Sequence, residues 1–245
     1  MRSLFIMLLI FGTVAYMDYT AINQPAQPKK VDTNKTTKVV KQEQKKVAKV
    51  KKKYLVSKKK KKFFAIVVPI IQKVHQEQEN QFKQIRRDLK AGKNLKNIAQ
   101  LKKRYRVIND SDLILALKPH PQSIVIAQAA IESAWGTSRF FKEANNIFGM
   151  WSKDPNKPRI AAGVKRKGKR TIWLRKFDTL DESIKQYYRT IGRVKDYKAF
   201  RELRFKTDDV TLLVKKLDKY SELGDKYTRM LASVIRHNDL TKYDK

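Results

Sequence analysis

From residue 63 onward, apolar positions recur at helical spacing through most of the chain. FFAIVVPIIQKVHQEQENQFKQIRRDL opens as an apolar segment with Pro69 near its first turns and continues as a charged helix face. LKNIAQLKKRYRV predicts a second helix. SDLILALKPH predicts a third, capped by Ser111 or Asp112 and broken at Pro119. Pro121 precedes a strongly apolar helix over roughly 122–135, which Gly136 stops. Thr137 or Ser138 can cap a short helix, SRFFKEA. Residues 156–177 carry Gly163 and Gly168, basic residues and an Ile-Trp-Leu run. They predict a β-hairpin or two short strands around a basic turn. Beyond Asp178, helical patterning returns in DESIKQYYRTIGRV, DDVTLLVKKLDKYSEL and KYTRMLASVIRHNDL. The expected class is mainly α with a small β element, an α+β fold without internal repeats.

The first 62 residues follow different rules. MRSLFIMLLIFGTVAYM has one early Arg and an apolar run from Leu4 to Met17. That run is short for a membrane span and suits a signal peptide. Cleaved, it implies export to the periplasm, the cell envelope or the medium; uncleaved, it serves as an inner-membrane anchor. Residues 18–62 read as a disordered Lys-rich linker, with 12 lysines and one acid between 41 and 62. The whole chain holds 57 Lys+Arg against 23 Asp+Glu, a net charge of +34. Such an excess favours anionic partners, here wall polymers or a membrane surface. No recognisable nucleic-acid-binding motif accompanies the lysines, so no specific nucleic acid is expected. The sequence has no cysteine, which excludes disulfides, thiolate metal sites and a cysteine nucleophile. His75, His120 and His237 are far apart and make no ligand spacing, so neither a metal nor another cofactor is expected.

Candidate chemistry concentrates in QSIVIAQAAIESAWGTSRFFKEANNIFGMW, residues 122–151. Between Ser123 and Trp135, Glu132 is the only ionisable residue. Apolar surroundings penalise the ionised carboxylate and raise its pKa, which is how hydrolases keep a general acid protonated near neutrality. A Glu at a helix end also suits a capping or ion-paired role. At 100° per residue, Val125, Gln128 and Trp135 fall within about 60° of Glu132 on a helical wheel, so an acid, an amide and an indole share one strip. Asn145, Asn146, Phe148 and Gly149 form a tight turn beside aromatics. That turn suits hydrogen bonding to sugar hydroxyls and acetamido groups, and equally suits a purely structural role.

The run AQAAIESAWGTS followed by NNIFG resembles the active-site signature of bacterial β-N-acetylglucosaminidases of glycoside hydrolase family 73. That family includes flagellar peptidoglycan hydrolases and Bax-type proteins. KFDTLDESIKQYYRTI, DYKAFRELR and YSELGDKYTRMLASVIRHNDLTKYD are Bax-like as well. The resemblance runs from residue 63 to the end. It implies a lysozyme-like α-lobe with a β-hairpin lobe, with 63–118 as an N-terminal helical extension and 119–245 as the catalytic core. It also implies a peptidoglycan hydrolase that cleaves after N-acetylglucosamine, with peptidoglycan strands as partner. Glu132 would be the general acid. Tyr220, beside the SELGDK loop, would be the second catalytic group. Gln128, Trp135, Asn145, Asn146, Phe148, Gly149, Tyr227 and Asp154 would bind substrate. Trp151 and Trp173 are further stacking candidates. A lytic transglycosylase, or a catalytically silent wall-binding or scaffolding protein on the same fold, fits the same residues. No Glu lies between Glu143 and Glu182. Asp178 and Asp181 suit the cap of the next helix, which leaves Asp154 as the loop acid.

Overall fold

The computed structural model describes residues 33–163 and 171–244, with side chains described from residue 57. The described residues divide near residue 61 into two units, residues 33–61 and the body that starts at Lys62. The proposed signal segment, residues 1–17, lies outside the described residues, as does the basic turn at 164–170. No helix among the described residues is long and apolar enough to cross a membrane.

The expected linker is helical from Thr33. Helix α1 runs Thr33–Ala91; lysine, a good helix former, dominates residues 33–62, and neither Gly nor Pro interrupts them. Pro69 therefore sits deep inside a helix rather than near its start. From Phe63, α1 turns apolar at helical spacing. Phe63, Val67, Ile71 and Val74 are fully buried in the main core. The segment expected as an extension thus supplies core residues to the same cluster as the catalytic-type helix.

The other helices are α2 (Leu95–Tyr105), α3 (Asp110–Leu117), α4 (Gln122–Glu132), α5 (Arg139–Ala144), α6 (Leu180–Arg193), α7 (Lys198–Lys206), α8 (Val210–Lys215) and α9 (Asp225–His237). Asn109 rather than Ser111 or Asp112 caps α3, its side chain accepting from Asp112 N. Ser138 caps α5 as expected, accepting from Phe141 N. Thr179, not Asp178 or Asp181, caps α6, accepting from Glu182 N, while Glu182 Oε2 accepts from Asp178 N. Strands β1 (Arg159–Ala161) and β2 (Trp173–Arg175) pair antiparallel with Ile160 opposite Leu174, and Trp151 bridges to Leu174.

Helix α4 is the axis of the main core. Every residue from Gln122 to Ala130 is buried, and the helix packs against α9 and the 3-10 turn Leu240–Tyr243. Its N-terminus begins at Pro121 without a side-chain cap of its own, and Asp244 near the chain's end accepts from Ser123 N at 2.7 Å. A second apolar cluster joins Phe82 and Ile85 to Ile98, Leu101, Tyr105, Leu113 and Leu117.

Gly192 marks a close helix crossing. A Cβ there would stand 2.7 Å from Ala116 O and 2.7 Å from the Tyr105 ring. Neither backbone nor a buried ring can yield without moving α3 or α2. Gly192→Ala is therefore expected to destabilise the fold by about 1–3 kcal/mol, despite the better helix propensity of alanine. Urea denaturation checks this; an unchanged midpoint would show that the crossing is looser than it looks.

Candidate active site

The helix that carries Glu132 ends on it. Ser133 is the C-cap, and its Oγ both donates to Ala129 O at 2.6 Å and accepts from Gly136 N at 2.9 Å. Ala134, Trp135 and Gly136 then take left-handed φ values of 50°, 59° and 73° in succession. For the two non-glycine residues this conformation is strained, and the surroundings must hold it. Trp135 N donates to Ala130 O at 2.7 Å. The indole packs edge-on against Phe63 and Phe64, with ring centroids 5.7 Å away in both cases. Trp135 has thus left the helical strip predicted for it and braces the turn against α1. The helix stops three residues earlier than the wheel assumed, and Glu132 becomes the side chain at the tip of a buried rod.

That tip meets α9. Tyr227 Oη donates to Glu132 Oε1 at 3.0 Å and accepts from Gln128 Nε2 at 3.0 Å. Gln128 and Glu132 are one turn apart on α4, so a single hydroxyl engages both. Burial pushes the Glu132 carboxyl up to about 7, while the Tyr227 hydrogen bond works in the other direction. The tyrosine's own pKa is raised well above 10, by burial first and then by Glu132 and Tyr220, so it stays a donor. Tyr220 stacks on Tyr227 with centroids 5.5 Å apart and planes 14° apart. Sequence alone favoured Tyr220 as the catalytic tyrosine. In the structure the hydroxyl that meets the acid is Tyr227's, and Tyr220 supports its ring.

The turn 145–149 ties down the neighbouring wall. Asn145, the left-handed C-cap of α5, donates to the carbonyls of Phe177 and Asp178. Asn146 is buried. Its amide nitrogen donates to Met150 O and Arg175 O, and its oxygen accepts from Met150 N. With these bonds made, the Asn pair clamps the turn to β2 and the residues that follow it. Gly149 takes φ +62° within this turn. Phe148 is buried and stacks on Tyr187 at 4.2 Å, a core position. Arg159 lies over the Trp173 ring at 4.3 Å, and Trp151 is half-buried at the bridge to Leu174. Asp154 accepts from Asn156 N and sits 3.7 Å from Lys157, on an exposed stretch of the loop.

His120 and Tyr187 are the residues that sequence reading missed. His120 Nε2 lies 2.8 Å from Tyr187 Oη, and Tyr187 Oη donates to Gln128 Oε1 at 2.5 Å. Neither residue lies in the AQAA…NNIFG run, and only their meeting in space connects them to Glu132. Among the described residues, no group of three His, Cys, Asp or Glu could hold a metal ion.

A family model described as "Glucosaminidase: Mannosyl-glycoprotein endo-beta-N-acetylglucosaminidase" matches residues 115–240. Protein bax of Escherichia coli K12 is 30% identical over 127 residues, covering 48% of this chain and 43% of that protein. The chain thus matches less than half the length of this curated relative. Among solved structures, the catalytic domain of the autolysin Auto from Listeria monocytogenes aligns with a TM-score of 0.43 and 22% identity, covering 59% of this chain and 87% of that one. The C-terminally truncated glycoside hydrolase domain of Salmonella typhimurium FlgJ aligns at 0.40 and 21%, covering 58% and 95%.

Proposed function

The chain belongs to the glucosaminidase family, and on that premise we propose that it is an exported peptidoglycan hydrolase, an endo-β-N-acetylglucosaminidase that cuts the β-1,4 bond after N-acetylglucosamine. The observation that carries this reading is a single carboxyl at the tip of a buried helix, held by a tyrosine and desolvated to a pKa of about 7. A carboxyl in that state is a competent general acid at neutral pH.

Burial, not a neighbouring charge, raises Glu132. No second carboxylate couples to it among the described residues, and residues 164–170 contain no acid. This favours a mechanism with one protein carboxylate. Glu132 gives its proton to the glycosidic oxygen as the bond to C1 breaks. The carbonyl oxygen of the substrate's own 2-acetamido group forms a bond to C1, giving an oxazolinium. Glu132, now ionised, takes a proton from water as that water attacks C1 and reopens the ring. The product keeps the β anomer, and the acid is reset. Tyr227 stabilises the carboxylate between the two steps.

The test is turnover of soluble glycan by Asp154→Asn. Activity within about threefold of wild type is expected. A folded Asp154→Asn as inactive as Glu132→Gln, or an inverted anomer, would assign a second carboxylate. Binding of sacculi by the wild-type protein without release of soluble fragments would instead assign a scaffolding role.

The lysine-rich segment gives the enzyme a hold on its anionic surroundings. Residues 41–62 carry 12 lysines, and attraction between surface charges is screened over about 8–10 Å at physiological salt. Binding to sacculi or anionic vesicles should therefore weaken as salt rises. Removal of residues 18–62 should lower that binding while leaving turnover of short soluble glycans nearly unchanged. Salt-insensitive binding in a sedimentation assay would refute this role.

A further inference from the structure

Five of the polar side chains buried in the core are linked to one another. Arg204 of α7, His120 before α4, Tyr187 of α6, Gln128 of α4 and Tyr227 of α9 are all nearly or fully inaccessible. They form one unbranched hydrogen-bonded chain that ends on Glu132. Successive separations are 3.4 Å from Arg204 Nη1 to His120 Nδ1, 2.8 Å from His120 Nε2 to Tyr187 Oη, 2.5 Å to Gln128 Oε1, 3.0 Å from Gln128 Nε2 to Tyr227 Oη, and 3.0 Å to Glu132 Oε1.

The far end fixes the direction of every link. A guanidinium only donates, so His120 Nδ1 must be the acceptor and the imidazole proton lies on Nε2. His120 then donates to Tyr187, Tyr187 to the Gln128 oxygen, the Gln128 amide to Tyr227, and Tyr227 to Glu132. Reversal would turn the Gln128 amide over and put a proton on His120 Nδ1, facing the Arg204 N–H. Arg204 itself is pinned, donating also to Leu115 O and Ala116 O. Those carbonyls lie in the last turn of α3, where a cation is favoured. The rings are fixed too. Phe148 stacks on Tyr187 and Tyr220 on Tyr227, and His120 packs against Tyr188 and Phe200.

We infer that His120 and Arg204 are positioning residues. They polarise this chain so that Tyr227 can only donate to Oε1 of Glu132, which places the acid's transferable proton on Oε2. The inference rests on Glu132 being the general acid. Were the chain able to reverse, the carboxyl could donate its proton to Tyr227, and that proton would be buried in the core and lost to the substrate. The charges around both ends suit this task. His120 is held well below its ordinary pKa by burial, then by Arg204 and His75, so it stays neutral with one donor and one acceptor. Glu132 faces the phenols of Tyr227, Tyr220, Tyr187 and Tyr197, on α9, α6 and the short turns beside them, and none of these ionises near neutrality.

The experiment compares pH profiles and melting temperatures of the full chain with those of Tyr187→Phe, His120→Leu, His120→Gln and Glu132→Gln, on soluble peptidoglycan fragments. Tyr187→Phe deletes one oxygen and leaves the Gln128 amide free to turn. Its kcat should fall about 10- to 100-fold at little cost in KM. Its alkaline limb should move to higher pH, because the protonated acid gains an acceptor in Tyr227 and is stabilised against ionisation. His120→Leu should behave alike, and His120→Gln, which retains a donor and an acceptor, should recover most of the loss. A merely structural role would lower the melting temperature and leave the alkaline limb in place. A folded Tyr187→Phe with wild-type kcat and limb overturns the inference, whatever the His120 variants do. An active Glu132→Gln overturns the acid assignment instead, so the two failures are distinct.

Discussion

Glu132→Gln is expected to lower kcat/KM about a thousandfold or more while glycan binding and the fold persist. Glutamine keeps the shape of the side chain and can still accept from Tyr227 through its oxygen, so the contact at the end of α4 survives. It cannot deliver a proton to the leaving oxygen. General acid catalysis by a positioned group contributes about 10²–10⁴-fold, and loss of that interaction should appear in kcat with KM nearly unchanged. Turnover assays with binding measured in parallel decide the matter. Wild-type turnover in the variant would remove Glu132 from the chemistry.

The pH dependence of stability should change with the same substitution. The carboxyl lies at about 7 in the folded chain against an ordinary value of 4.5. Below about 4.5 it is protonated in both states, and its burial carries no penalty. As pH rises from about 4.5 to about 7, the unfolded chain ionises first, so the folded state loses stability through that window and levels off above it. The residual exposure of the half-buried side chain softens the effect to about 2 kcal/mol. Urea midpoints at pH 4.5 and pH 8 should therefore differ more for wild type than for Glu132→Gln. The variant, which carries no group to ionise, should gain stability relative to wild type at pH 8. The same titration should set the alkaline limb of kcat/KM near pH 7, with activity falling about tenfold per unit beyond it. Identical pH–stability curves for the two proteins would mean that Glu132 is solvated like an ordinary surface acid.

Much of this was legible in the residues, and what was not has physical causes. The apolar run Ser123–Ile131 with one acid behind it reads as a buried helix, and α4 is buried from Gln122 to Ala130. The β-pair was marked by Gly163 and the Ile-Trp-Leu run, and β1 and β2 lie within it. The helix end was misplaced because Gly136 is a strong stop signal. The stop comes earlier, at Ser133, whose hydroxyl captures the last turn, and Trp135 pays a left-handed φ to reach Phe63 and Phe64. Choosing between Tyr220 and Tyr227 needed the fold. The turn at Gly224, φ +50°, starts α9 and points Tyr227 at the tip of α4, and spacing alone cannot say which hydroxyl arrives. The lysines of the linker suggest solvation and no structure, yet lysine is a good helix former and neither Gly nor Pro interrupts residues 33–62. His120 reads from sequence as a surface or satisfied structural histidine, and its link to Glu132 is hidden there because its partners lie 67 and 84 residues away.

The most direct measurement is mass spectrometry of fragments released from purified sacculi and reduced with borohydride. Reduced N-acetylglucosamine at every new end is the predicted result. New ends carrying 1,6-anhydro-muramic acid, or reduced muramic acid, would contradict it.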